Sequence, residues 1–469
     1  MSEVKAKKKL AFPHTLVIIF CMIVFVSILT HIVPGGAFDR IDVDGRSVVD
    51  PNSFHYIEST PASIFDIFKS IPEGMTSVAY IANFVLIISG AFGVIEATGA
   101  TKAVLAKVLK SKAAKKMSVG ILPLVIIAFS ALPASTGNAE SMLAFVPLGV
   151  LFARSLGYDA LVGLSITIAA GNCGFASGLF NSATTGVAQS LLGIEPLFSG
   201  AWFRAIGYVL LLCSVSFWTV WYAIRITKNP SRSICANVEA LAAAEGGTKA
   251  EDIDDTITPR RALILVEFVV GIVTVIYGAL HGWTLKSEMP AVFLMMAIII
   301  GATAGFTPNE IAGKFVDGGK KVFLGFLVVG FSKAIALVMT NAGIIDTIIY
   351  GFSGLLEGMP KVIGALFMYL FQILINCFII SGSGQAAATI PIMGPLGEIL
   401  GLTPQTVVTA FIFGDGLTNL VLPMSAATMG GIAIAGITYP QYLKYIWRII
   451  LTNLLVGAVM VVAAVTIGF

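Results

Sequence analysis

The sequence predicts an all-α integral membrane protein of inverted-topology repeats, with about nine transmembrane helices and two re-entrant hairpins. Three observations predict it. Of the 469 residues, 57% are hydrophobic and 12% charged, whereas a soluble domain carries about a quarter charged residues. Apolar stretches of spanning length recur along the whole chain. A polar, glycine-rich segment also occurs twice inside them, as Ser135-Thr136-Gly137-Asn138-Ala139-Glu140 and as Ser381-Gly382-Ser383-Gly384-Gln385. Non-helical polar backbone is costly in a bilayer unless it is buried in protein or lines a watery cavity. A matched pair of such interruptions points to a transport site between two repeats.

The chain opens with Lys5, Lys7, Lys8 and Lys9 ahead of an apolar run over 12–33. The run is long enough to span, and no small-residue cleavage site follows it. It therefore reads as a retained transmembrane helix near 13–34 rather than a secretory signal. Further spans are expected near 74–99, 159–192, 201–226, 262–281, 288–306, 321–343, 403–434 and 440–467. Between them, 118–156 and 361–400 are each broken midway by a polar glycine segment. Each half is about 15 residues, short of the roughly 20 needed to span at 1.5 Å per residue. A re-entrant helical hairpin fits better than two full spans. Amphipathic pieces at 61–71 and 308–320 precede corresponding helices and suit arms lying in the interface.

Cationic flanks set the orientation. With the first hairpin counted as re-entrant, the basic N-terminus, 102–116 with its six lysines, and 225–261 all fall on the cytoplasmic side. The segment 35–60, with Asp and few cations, then lies outside. The hydrophilic stretch 227–259, with Glu251, Asp252, Asp254 and Asp255, is a cytoplasmic connector. The expected location is the cytoplasmic (inner) membrane, multi-pass, with the N-terminus cytoplasmic.

The two halves correspond. With a shift of 243 residues, Gly171, Leu179, Ser182, Ala183 and Thr185 fall on identical Gly414, Leu422, Ser425, Ala426 and Thr428, and Asn172 falls on Asp415. A shift of 244 aligns Gly99 with Gly343. Small residues abound in apolar helices, so these identities gain their weight from the shared order of helix, hairpin, interrupted helix and helix. The odd helix at 262–281 reverses the second half. The expected division is a first inverted repeat over 1–226, with hairpin 118–156 and interrupted helix 159–192. A linker and extra helix occupy 227–287. The second repeat covers 288–469, with hairpin 361–400 and interrupted helix 403–434.

Composition and motifs also exclude. Five scattered cysteines and four solitary histidines show no metal-ligand spacing, and an odd cysteine count argues against a disulfide framework. No phosphate-binding glycine loop is present, so a built-in ATPase is not expected. The net charge of +3 sits at membrane flanks rather than on one face, so no nucleic-acid partner is expected. No Ser/His/Asp arrangement or metal cluster supports an enzyme.

The hairpin tips supply helix ends, whose N-termini favour anions such as a carboxylate and whose C-terminal carbonyls favour cations. Ser135, Thr136, Gly137, Asn138 and Glu140 form the first candidate tip, and Ser381, Ser383, Gly384 and Gln385 the second. The same small residues would also serve tight helix packing. The interrupted helices supply the other wall through Gly171-Asn172-Cys173-Gly174 and Gly414-Asp415-Gly416, with Pro423 helping to unwind the second copy. Asn172, Asn181, Ser182, Thr184, Thr185, Asn419, Ser425 and Thr428 extend the polar lining. Such oxygens can hold a hard cation, so Glu140, Asp415, Ser182 and Thr185 are the candidates for coupling Na⁺ or H⁺. No other cofactor is expected. Intramembrane charge is functional by default, which singles out Asp415 and Glu140. Glu96 can equally be interfacial, Glu267 lies in the unpaired helix, and Lys333 suits neutralising a buried acid. Asn376 and Gln372 can simply bond between helices.

Several segments resemble the YfcC family. They include the opening Phe12-Pro13-His14-Thr15, Val33-Pro34-Gly35-Gly36-Ala37-Phe38, Gly90-Ala91-Phe92-Gly93, Leu156-Gly157-Tyr158-Asp159 and Gly174-Phe175-Ala176-Ser177. Ser381-Gly382-Ser383-Gly384-Gln385-Ala386-Ala387 and Gly414-Asp415-Gly416 complete the set, the former being the most specific. The family belongs with the C4-dicarboxylate anaerobic carriers of the ion-transporter superfamily, and the resemblance covers essentially the whole chain. It implies a secondary carrier, with several members named as basic amino acid antiporters. It further implies a scaffold domain, a mobile transport domain carrying the hairpins, elevator-type movement and a homodimer. Members often have two adjacent carboxylates at the first tip, whereas this chain has Glu140-Ser141, which favours a solute of different charge or a different ion coupling.

The function expected is secondary active transport of a small carboxylate-bearing solute, foremost an amino acid, with a C4-dicarboxylate carrier coupled to Na⁺ or H⁺ as the alternative. A channel fits closed hairpins less well than alternating access does, and a membrane enzyme lacks motifs. The partners expected are the solute, the lipid bilayer and a second copy of the chain.

Overall fold

Two helix pairs recur 244 residues apart. Ile64–Ser77 and Ala79–Ala97 reappear as Pro308–Lys320 and Phe323–Asn341. Each pair opens on the same device. Ser63 and Thr307 cap the first turn, and the acids three residues on, Asp66 and Glu310, accept from the cap's amide and hydroxyl at 2.7–2.9 Å. The first arm thus begins at Ile64 and continues to Ser77, beyond the expected 71. Packing is reciprocal, with 64–77 along 323–341 and 308–320 along 79–97. Glycine permits the approach on both sides. A Cβ on Gly74 would meet the Gly330 carbonyl and Ala334 amide at 2.9 and 2.8 Å, and Gly318, 244 residues later, faces Ser89 and Gly90.

The computed structural model describes residues 15–43, 46–50, 52–101, 103, 112–245, 256–281, 283–284, 286–320, 323–355 and 358–469. These are nearly all helical. The N-terminal lysines, most of 102–116, and Glu251, Asp252, Asp254 and Asp255 lie outside the described residues. Segment 35–60, expected only as an external loop, contains two antiparallel ladders, Gly36–Ala37 with His55–Tyr56 and Arg40–Val43 with Arg46–Val49. An ion pair from Arg40 to Asp346 (2.9 Å) and Phe54 stacked on Tyr350 (3.9 Å) fasten it to helix Ile344–Gly354.

Each polar glycine segment turns the chain back on itself. Lys112–Thr136 rises to Gly137, and the 3-10 turn Glu140–Phe145 with Val146–Ser155 returns. Close approaches to helix Ala160–Ser177 give the directions. Gly163 meets Val150, Gly171 meets Met142, and Gly174 meets Ser130 and Ala134, while Gly137 meets Asn181. The returning limb is therefore antiparallel to that helix, and the rising limb parallel to it. The rising limb has 25 residues, longer than the sequence suggested, because its helix starts at Lys112 and tolerates Pro123 and Pro133. Lys361–Asn376 and Gly382–Ile399 form the second hairpin: Gly364 meets Leu400, Gly397 meets Met368, and Gln372 bonds Thr389 and Gln385.

The interrupted helices lie inside. Ala160–Ser177 is wholly buried and breaks at Gly178, and Pro404–Thr418 breaks before Ala426–Ile434. Ala201–Lys228 and Tyr439–Ile467 pack on each other and buttress the two breaks. Among the described residues, Ala160–Ser177, Ala201–Lys228 and Tyr439–Ile467 are each long and apolar enough to cross a membrane. Two bent pairs, Ile64–Ser77 with Ala82–Ala97 and Lys333–Asn341 with Ile344–Gly354, also pass, and four apolar helices are shorter. The helices are shorter than their apolar stretches where a turn ends them early, as the first does at Leu29. The unpaired helix Pro259–Leu280 lies against Glu288–Thr303, where Glu267 accepts from Thr303 at 2.7 Å.

Candidate functional site

Both hairpin tips meet the breaks of the interrupted helices, and the two breaks cross. Gly416 sits on the backbone of Ala176, and the Asn172 amide donates to the Gly416 carbonyl at 3.0 Å. Residues 172 and 415, matched by the repeat, are thus neighbours in space.

The first break is held by its own polar residues. Gly178 ends the helix at φ 61°, a left-handed conformation that glycine adopts without cost. Asn181 then caps the next turn, accepting from the amides of Ala183 (2.9 Å) and Thr184 (3.1 Å) while donating to Phe175 O at 3.1 Å. Thr185 donates to Gly178 O at 2.7 Å. In the second break Ser425 caps Thr428 N (3.4 Å), and Thr428 donates to Asn419 O at 2.7 Å. The matched Thr185 and Thr428 therefore do the same work, tying each new turn to the helix end before it. Asn181 and both threonines serve first to hold the breaks open.

The tips are similar in construction. Ser135 turns its hydroxyl back to Ala131 and Leu132 carbonyls, and Asn138 accepts from Ser141 N at 3.2 Å. Gly137 has φ 68°, and any Cβ there would strike the Asn181 side chain. The side chains of Thr136 and Ser182 lie outside the described residues. At the second tip, Ser381 caps Gly384 N (3.4 Å), Ser383 is exposed, and buried Gln385 donates to Gln372. Gly137→Ala is expected to lower stability by about 1–2 kcal/mol from the left-handed backbone alone, and more from the blocked Asn181. A thermal midpoint in detergent equal to that of the unaltered protein would show that the tip does not dock this way.

Asp415 stands at the centre. It is fully buried, and neither carboxylate oxygen has a hydrogen-bond partner among the described residues. Beside it, Gly382 opens the second tip's returning helix; a Cβ there would lie 3.1 Å from Asp415 Oδ2 and against Thr184. Asn376 donates to the Asp415 carbonyl (2.5 Å), to Thr418 Oγ1 (2.7 Å) and to Asn419 Oδ1 (2.9 Å). The other unpartnered buried atoms at the crossing are again oxygens: Thr184 Oγ1, Asn172 Oδ1, Asn376 Oδ1 and Gln385 Oε1. Buried polar groups are normally paired, and a charge without a partner costs several kcal/mol. Unpartnered oxygens around a carboxylate call for a cation or protons, and the carboxylate repels anions. Oxygen donors of this kind suit a hard cation such as Na⁺.

Glu140 sits in a different setting. It opens the 3-10 turn Glu140–Phe145 and is only partly buried, whereas Asp415 is fully buried within helix Pro404–Thr418. The mirrored acids are therefore not equivalent in structure. Glu96 is exposed and Glu267 is held by Thr303. Asn376 and Gln372, weighed in the sequence as interhelical bonders, bond in different directions: Asn376 ties the rising limb to the Asp415 break, and Gln372 ties it to Gln385 and Thr389 of the returning limb. Their only sequence signal was polarity within an apolar limb.

The chain matches, over residues 12–466, the family described as C4-dicarboxylate anaerobic carrier. It is 30% identical to a protein of Escherichia coli (strain K12) provisionally named basic amino acid antiporter YfcC, over 100% of this chain and 99% of that one. An uncharacterized protein of Haemophilus influenzae is 26% identical over 100% of this chain and 99% of that one. Among solved structures, the YdaH transporter of Alcanivorax borkumensis aligns with a TM-score of 0.41 at 16% identity, covering 97% of this chain and 99% of that one. Neisseria gonorrhoeae MtrF aligns at 0.40 with 17% identity, covering 98% and 96%. Similarity at that level carries no argument about substrate.

Proposed function

The chain belongs to the C4-dicarboxylate anaerobic carrier family and is a membrane transporter, and from that premise we propose that it is a secondary carrier of an amino acid. The observation that carries this reading is the buried Asp415 carboxylate, both of whose oxygens lack a partner, among further unpartnered side-chain oxygens. An α-ammonium or a basic side chain would supply the missing donors, and the solute carboxylate would lie at the exposed start of helix 382–399, where free amides favour an anion. Na⁺ or a proton at Asp415, Thr184 and Asn172 would serve as the coupling ion, with the matched Thr185 and the Ser182 segment adjoining. The provisional name of the E. coli relative, a basic amino acid antiporter, agrees with a cationic or zwitterionic solute. The family description itself favours a second reading, a C4-dicarboxylate. A dianion would need Asp415 protonated or screened.

In this proposal the repeats divide near 1–226 and 288–469, joined by the 227–287 linker and helix. The hairpins and interrupted helices move as an elevator against the scaffold of 64–97 and 308–341, in a homodimer placed in the cytoplasmic membrane with the N-terminus inside. The reciprocal packing of 64–77 and 308–320 supports a rigid scaffold. Counterflow in proteoliposomes tests the solute. Labelled arginine is expected to accumulate in vesicles preloaded with arginine, and labelled succinate to stay outside succinate-loaded ones. The reverse pattern would establish the dicarboxylate reading. Imposed Na⁺ and pH gradients then identify the ion.

A further inference from the structure

Far from the crossing, the ends of Ala201–Lys228 and Tyr439–Ile467 enclose a cavity of about 200 Å³ with an unusual wall. Arg225, Arg232, Lys444 and Arg448 line it, and among the described residues no Asp or Glu does. None of the four makes an ion pair or donates a side-chain hydrogen bond among the described residues. The acid that meets the lining Tyr222 is Asp159, which lies buried behind it and accepts from Tyr222 (2.7 Å), Ser233 (2.6 Å) and the Val162 amide (3.3 Å). Its carboxylate is not part of the lining.

Tryptophans hold two of the four cations in place. The Arg448 guanidinium stands 4.5 Å from the centroid of Trp221, 5.1 Å from Trp447 and 5.5 Å from Trp218, and Arg225 lies 5.4 Å over Trp221. Stacking of this kind fixes the guanidinium plane while leaving its N–H edges free to donate. Trp218 is itself anchored to Thr452 at 2.9 Å. A further recess continues the wall past Ile224 to Lys228. Tryptophans beside arginines mark the headgroup level of a membrane protein. On the same face of the longer helix, Leu451, Leu455 and Val459 follow Trp447 and are more than half exposed. They form an apolar track leading away from the charged end.

We propose that this cavity binds the phosphate of an anionic phospholipid, with an acyl chain lying along Leu451, Leu455 and Val459. The recognising chemistry is a phosphate taken by two arginines from a donor-rich wall that carries no carboxylate among the described residues. The apolar track is the reason to choose a lipid over a free phosphate-bearing solute. Because the buttress helices pack on both interrupted helices, the bound lipid would brace the pair that the transport site rests on.

Native mass spectrometry of the full chain, delipidated and titrated with phosphatidylglycerol or phosphatidylcholine, tests this. Phosphatidylglycerol is expected to remain bound and phosphatidylcholine to leave. Arg448→Gln and Arg225→Gln should each weaken retention about fivefold, the scale of one cation near a lipid surface. Arg232→Gln, on the loop rather than a buttress helix, supplies a variant whose folding does not depend on the tryptophan stack. Equal retention of the two lipids, or equal retention by all three variants and the unaltered protein, would overturn the proposal. Displacement of phosphatidylglycerol by inorganic phosphate would overturn its lipid half and assign the cavity to a soluble phosphate.

Discussion

Asp415→Asn is expected to abolish transport while leaving the protein folded. The substitution keeps the shape of the side chain and removes its charge, and it places an amide donor among orphan oxygens. Asp415 has no partner to lose, since both of its oxygens lack one among the described residues. The new amide could instead donate to Thr184 Oγ1 or Asn376 Oδ1. Thermal stability in detergent should therefore hold or rise. Losing one side of a desolvated charge interaction costs about 3 kcal/mol or more, so counterflow should fall at least about 100-fold. Counterflow at the unaltered rate would remove Asp415 from the mechanism. A collapse of the folded protein would show instead that the carboxylate holds the structure together.

Gly416→Ala is the second large effect, and it acts on the crossing itself. A Cβ at 416 would lie 2.5 Å from the Ala176 Cα and 2.6 Å from its Cβ, so one of the two interrupted helices must move. Side-chain rotation cannot relieve a clash with backbone. The displacement would also stretch the 3.0 Å bond from Asn172 to the Gly416 carbonyl. Overpacking costs about 1–3 kcal/mol, and the lost buried bond adds about 1 kcal/mol. A clear fall in the thermal midpoint is expected, with transport lost even where protein is recovered. Gly351→Ala, in helix Ile344–Gly354 away from the crossing, meets nothing within 4 Å and is the control, which should be close to neutral. If both variants unfold at the same temperature as the unaltered protein, the helices do not cross this closely.

Much of the architecture was legible because it depends on neighbouring residues. Glycine with small polar residues inside an apolar run is a local signal, and both hairpin tips and both breaks lie where that signal is. The matched threonines, 185 and 428, even perform the same hydrogen bond. The capping boxes at Ser63 and Thr307 are as local, but their value as a repeat signature emerged only when the acids were seen to reach back. The beginnings and ends of helices were less legible, since Lys112–Thr136 continues through two prolines and the first span stops at Leu29.

The occupancy of the polar atoms was not legible. Sequence alone placed Asn181, Thr185 and Asp415 in one polar lining, yet the first two spend their side chains on backbone and the third has none to spend it on. It also paired Glu140 with Asp415, while the fold leaves one partly buried in a 3-10 turn and buries the other completely inside a helix. The arginine and tryptophan cavity joins residues more than 200 positions apart and leaves no trace in either stretch. The sequence by itself determined the membrane class, the repeat and the places where helices break, because composition, glycine conformation and helix length act within a few residues. Only the tertiary structure decided which polar groups are satisfied, because burial and hydrogen bonding depend on segments that meet after the chain has turned back on itself.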